Sequence, residues 1–175
     1  NFPNTSNWYD FYTKQKHKGG ETEFIQTQKN SIPTFVRAGA IIPMIEPILS
    51  TDNYLLDTFE LHYYFDQKVK HTKRIIYNDN GLLANAYEKG YYELLKVNAK
   101  HNSKKIQIEL STTNGKHFQA SSKEIEVVIY NLSKQPKNVF LNTQKINFQY
   151  DQLTKTFRMK LNWETSNRSI INIKF

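Results

Sequence analysis

His17, His62, His71, His101 and His117 are the side chains with which this sequence could move protons or hold a metal ion. None forms an H-x-x-x-H pair and none stands at ligand spacing from a carboxylate, so they read as exposed or strand-flanking residues. There is no cysteine, which removes thiol nucleophiles, disulfides and Cys-ligated zinc together. No G-x-S-x-G elbow, phosphate-binding loop or G-x-G-x-x-G turn occurs. Asn78-Asp79-Asn80-Gly81 has the look of the start of a calcium loop. Such a loop needs D-x-[DN]-x-[DN]-G spacing and a glutamate about six residues on. Here that spacing is missing, although Glu88 follows Gly81 by seven residues. Asn, Asp and Gly all tolerate left-handed backbone, so the string is expected to make a tight turn. The sequence nominates no catalytic residue, no cofactor-binding residue and no metal ligand.

Aromatic side chains are the other source of function. Trp8, Tyr9, Phe11 and Tyr12 alternate across one expected strand, and Tyr63-Tyr64-Phe65 and Tyr91-Tyr92 form further groups. An aromatic ring on a sheet can stack on a sugar, or it can be core or pack on a neighbouring domain. Both readings stay open at this level.

The elements that position these residues follow from composition and period. The 175 residues carry a net charge of +8 and 24 aromatic side chains (11 Phe, 11 Tyr, 2 Trp), far from a disordered composition. Residues 1–54 are neutral, with five basic and five acidic side chains; residues 55–175 hold 19 basic against 11 acidic. Most of that excess is lysine, with Arg74, Arg158 and Arg168 the only arginines of the second part. Arginine supplies the bidentate fork that reads phosphates and bases, so no nucleic-acid partner is expected. The dispersed Lys104, Lys123, Lys137, Lys145 and Lys155 read as solvated strand edges. No apolar run of about 18 residues occurs, so no membrane partner is expected, and Asn1–Asp10 shows no signal-peptide pattern.

Period-2 alternation recurs at Ile106/Ile108/Leu110, Ile125/Val127/Ile129, Ile146/Phe148/Tyr150, Phe157/Met159/Leu161/Trp163 and Ile171/Ile173/Phe175. Turn strings such as Asn114-Gly115, Lys134-Gln135-Pro136 and Asn142-Thr143-Gln144 separate these runs. The pattern predicts an all-β protein of antiparallel β-sandwich type. Earlier in the chain, strands are expected at Trp8–Tyr12, Thr22–Gln28, Ile32–Arg37, Ala40–Pro43 and Phe59–Tyr64. Pro33 and Pro43 should bracket one strand pair around Gly39. An irregular linker over Met44–Asn53 and the charge change divide the chain into a small partial domain, 1–54, and a larger distal sandwich, 55–175.

Asn7-Trp8-Tyr9-Asp10-Phe11-Tyr12-Thr13 and Ile32–Pro43 resemble the segment that follows the catalytic barrel in glycoside hydrolase family 31. Ile76–Gly81 and Tyr87-Glu88-Lys89-Gly90-Tyr91-Tyr92 are similar to the Y-E-D-D-G…Y-x-x-G-x-Y hairpin of its distal C-terminal domain, with Asn78 and Asn80 in place of acids. The resemblance implies a proximal and a distal β-sandwich and a parent α-glucosidase, α-xylosidase or α-glucosyltransferase with a retaining mechanism. The two carboxylates of that mechanism stand about 5–5.5 Å apart. In the family they lie on the barrel, and none of the 16 acidic residues here matches those barrel motifs. The chain therefore reads as a fragment: a non-catalytic accessory region partnered by the barrel of its parent chain. The alternative is an autonomous carbohydrate-binding module.

Arg37, set between Val36 and Ala38, would need a partner if buried. With Trp8–Tyr12 it is expected to order the junction with the barrel, and an exposed junction should favour self-association. Asn4, Asn131 and Asn167 begin N-x-[ST] sequons.

Overall fold

The computed structural model describes residues 1–27, 29–50, 56–79 and 81–175, and every regular element among them is a strand. The strands are β1 (Trp8–Asp10), β2 (Lys16–His17), β3 (Phe35–Arg37), β4 (Ile41–Met44), β5 (Thr58–Tyr64), β6 (His71–Asp79), β7 (Tyr92–His101), β8 (Lys105–Asn114), β9 (Ser122–Tyr130), β10 (Asn138–Leu141), β11 (Gln144–Ile146), β12 (Gln149–Asp151), β13 (Thr156–Glu164) and β14 (Ser169–Lys174). A six-stranded sheet of order β11-β10-β14-β8-β7-β6 faces a five-stranded sheet of order β12-β13-β9-β5-β4. Strand pairing is antiparallel except between β5 and β9, which run parallel.

Alternation explains the layers. On β7, Leu95, Val97 and Ala99 are buried and the intervening side chains are not. The same rule turns Ile106, Ile108 and Leu110 of β8 inward against Ile125, Val127 and Ile129 of β9 and Phe157, Met159, Leu161 and Trp163 of β13. Trp163 is 1% exposed, and its indole N–H donates to the Asn167 carbonyl at 2.8 Å. The core is thereby both filled and satisfied at its largest residue.

A three-stranded sheet of order β2-β1-β3 forms a third layer. Its inner residues Tyr9, Val36 and Ala38 pack on Tyr64, Val128 and Tyr130, the outer face of the five-stranded sheet.

Four local expectations change. Residues 22–27 form no strand, because both edges of β1 are already taken, by β2 and by β3; Gln28 lies outside the described residues. The segment around Gly39 is not one strand pair, since β3 pairs with β1 whereas β4 pairs with β5. Pro43 sits inside β4, which is tolerated because β4 is a sheet edge. The run Ile146–Tyr150 is two strands: β11 ends in one sheet and β12 begins in the other, so the chain crosses the sandwich rim at Asn147-Phe148. The 54/55 boundary lies outside the described residues.

Candidate functional site

The region where the small sheet meets the sandwich is built from a turn and a buried carboxylate. Asp10 ends β1, and its Oδ1 accepts the N–H groups of Tyr12 (2.8 Å) and Thr13 (2.7 Å). The chain then turns back through Lys14, whose φ is +63°. That conformation returns the lysine side chain across the outer sheet face. Its Nζ lies 4.7, 5.4 and 4.8 Å from the ring centroids of Phe11, Tyr64 and Tyr130. It also donates to the Tyr64 hydroxyl at 3.2 Å and to the Phe11 carbonyl. Burial lowers the Lys14 ammonium from its ordinary range, and Asp10 opposes that fall.

Asp66, buried just beyond β5, is the hub. Its Oδ2 accepts from the Asn7 amide (2.9 Å) and the Tyr9 hydroxyl (3.2 Å), and it pairs with the Lys16 ammonium at 2.7 Å. Oδ1 accepts the Lys68 N–H at 2.9 Å. Burial alone would raise this carboxyl, but Lys16, the Lys68 N–H and the Asn7 amide outweigh it and hold it at about 2. Tyr9 is pushed far up, by burial and then by the Asp66 charge, so its hydroxyl remains a donor. Asn131, with φ +61°, donates to the Tyr9 oxygen at 2.8 Å. One sequon asparagine is thus committed to the junction.

Beside this hub a cleft of about 830 Å³ opens between Tyr12–Gln15 and the β12–β13 hairpin, with Tyr130, Asp151, Leu153 and Arg158 in its lining. Asp151, the carboxylate in its lining, serves as a turn acceptor, as does Asp10 at the end of β1. Asp151 takes the N–H groups of Leu153 (2.8 Å) and Thr154 (3.2 Å) and lies below its ordinary range through those bonds. Asp10 is lowered too, because the Thr13 and Tyr12 N–H groups outweigh its desolvation. A glycosidic acid needs its proton held up to neutral pH. These acids are held the opposite way, so the arrangement offers cationic and aromatic contact surface.

The structure separates the residues that the sequence singled out. Trp8 is half-buried, Phe11 is half-buried and Tyr12 is exposed, whereas Tyr63, Tyr64 and Phe65 are core. Arg37 is exposed, so it needs no buried partner; it lines a cavity of about 410 Å³ with His71, Lys73 and Arg74. His17 and His62 are buried rather than exposed. His17 meets Glu23 at 2.7 Å; His62 joins the Tyr130 hydroxyl (2.7 Å) and Glu60 (2.5 Å). His101 contacts the Val69 carbonyl, His71 is exposed beside Asn98, and His117 stacks on Tyr91. Asp79 accepts the Gly81 N–H at 2.8 Å and Gly81 has φ +65°, the expected turn chemistry, while Asn80 lies outside the described residues. Among the described residues no group of three or more His, Cys, Asp or Glu gathers as a metal site would require.

Lys123 is a correction of substance, being 1% exposed rather than solvated. Its Nζ crosses the core from β9 to Glu93 of β7 (3.4 Å) and also meets Asp57 and Ser121. Alternation is the signal that reveals it. Lys123 continues the inward parity of Ile125, Val127 and Ile129, and Glu93 that of Leu95 and Val97. Asp66, by contrast, leaves no such trace.

Residues 1–42 match the glycosyl hydrolase family 31 C-terminal domain. The alpha-xylosidase of Saccharolobus solfataricus is 28% identical over 106 residues, 61% of this chain and 14% of its own length. Glucoamylase 1 of Candida albicans is 25% identical over 146 residues, 82% of this chain and again 14% of its own length. This chain therefore spans about one-seventh of these relatives. The GH31 dextranase of Flavobacterium johnsoniae superposes with a TM-score of 0.87 at 20% identity, covering 100% of this chain and 24% of that one. The GH31 alpha-xylosidase of Xanthomonas citri gives 0.67 at 17% identity, over 97% and 16%. The class defined is a β-sandwich with an appended small sheet, a fold found within larger GH31 chains. Sequence match and fold agree that the chain fits the C-terminal region of glycoside hydrolase family 31.

Proposed function

We propose that this chain is a non-catalytic C-terminal accessory region of a retaining α-glycosidase, α-glucosidase-like in type, that braces the catalytic barrel of its parent chain. In this reading residues 1–54 contribute the proximal part together with β4, the edge strand of the sandwich, and residues 55–175 contribute the rest of the distal sandwich. The supporting observation concerns the segment that matches the family. Its inner side chains Tyr9 and Val36 are buried, yet Tyr12, Phe24 and Ile32 are 60%, 95% and 79% exposed. Apolar side chains left this exposed within one short segment suit a contact with another folded body. Assays with aryl α-glucoside and α-xyloside should show no turnover; turnover carried by this chain refutes the reading. Light scattering should show self-association, relieved in the double variant Phe24→Ser/Ile32→Ser. A clean monomer with little binding of a hydrophobic dye would count against a bracing surface.

A further inference from the structure

At the end of the sandwich away from the small sheet, three tyrosines come together. β6 starts at His71, beside the junction residue Val69, and its nine residues carry the chain about 25 Å to Asp79. There Tyr87 stacks on Tyr92, with centroids 4.4 Å apart and planes 27° apart. Tyr77 lies 6.4 Å from both rings and within 17° of the Tyr92 plane. Tyr87 is 54% exposed and Tyr77 45%. One face of Tyr87 is thus held by its neighbours and the other looks outward, a fixed platform that loses little side-chain freedom on contact.

The polar rim of the platform is also ordered. The Tyr77 hydroxyl donates to Asp79 Oδ2 at 2.7 Å, and the Gly81 N–H fixes Oδ1 at 2.8 Å. Glu88 stands exposed in the same loop. An apolar ring face bordered by carboxylate acceptors matches a pyranose, whose C–H face is apolar and whose edge carries hydroxyl donors. A protein surface covering the same spot would have to desolvate Asp79 and bring a cation to it. The acidic rim equally disfavours anionic polymers.

We propose that Tyr87, supported by Tyr77 and Tyr92 and edged by Asp79, binds a pyranose ring of a neutral polysaccharide. The site is separate from the bracing surface and does not depend on it. It is tested by native electrophoresis toward the cathode, the direction set by the +8 charge, in gels containing dextran, soluble starch or xyloglucan. At least one polymer should retard the protein. Tyr87→Ala should raise the Kd at least tenfold, Asp79→Asn should weaken binding severalfold, and Tyr87→Phe and the distant Tyr12→Ala should leave it unchanged. Should Tyr87→Ala unfold, Asp79→Asn decides. The proposal is overturned if no polymer retards the protein, or if retardation survives both Tyr87→Ala and Asp79→Asn. It is equally overturned if Tyr87→Ala instead abolishes a concentration-dependent rise in mass, which would make the patch a contact between copies.

Discussion

Asp66→Asn removes one charge from the centre of the junction and leaves its shape unchanged. The wild-type carboxyl sits at about 2 rather than the ordinary 3.8. At about 1.36 kcal/mol per pH unit, that difference is worth roughly 2 kcal/mol to the folded state. The amide also cannot accept at both positions, so Lys16, Tyr9 or Asn7 loses part of its bonding; the total expected loss is about 2–3 kcal/mol. A group depressed on folding contributes above its unfolded value, and the contribution fades as the pH falls through the folded one. The deficit of Asp66→Asn should therefore be complete at pH 7, begin to shrink near pH 4 and be nearly gone near pH 2. Urea unfolding at a series of pH values, followed by tryptophan fluorescence, reads this directly, and at pH 7 thermal unfolding should drop by roughly 4–12 °C. A deficit below about 0.5 kcal/mol at pH 7, or one that stays constant down to pH 3, refutes the assignment of Asp66 as the charged anchor.

Lys123→Met should cost about 3–5 kcal/mol by stranding Glu93, whereas Lys123→Met/Glu93→Leu should come close to wild type; equal costs for both would disprove the pairing. Gly39→Ala should lose about 1–3 kcal/mol in urea unfolding, because φ is +83° and an added Cβ would stand 2.5 Å from a Val69 methyl. Burial lowers the His62 imidazole against the pull of Glu60. Wild type should accordingly lose stability as the pH drops below about 6.5, and His62→Gln should lose less over the same interval. Matching pH profiles for the two proteins would contradict this.

The class of fold was legible in the sequence because alternation has a period of two and needs only one buried face to appear. Ile106–Leu110, Ile125–Ile129 and Phe157–Trp163 announce their strands residue by residue. Alternation carries no information about which strands become neighbours. Hence the parallel pairing of β5 with β9, the crossing at Asn147-Phe148 and the lost strand at 22–27 followed only from how the sheets assemble. His17, His62 and Lys123 were misjudged for the same reason. A polar side chain is expected in water unless a partner is known, and the partners Glu93 and Tyr130 lie 30 and 68 residues away. The junction hub is the extreme case. Asp66 is one acidic residue after Tyr63-Tyr64-Phe65, and nothing local marks it. It becomes an anchor only when tertiary structure brings Asn7, Tyr9 and Lys16, some 50 to 59 residues earlier, within hydrogen-bonding distance of a carboxylate already withdrawn from water.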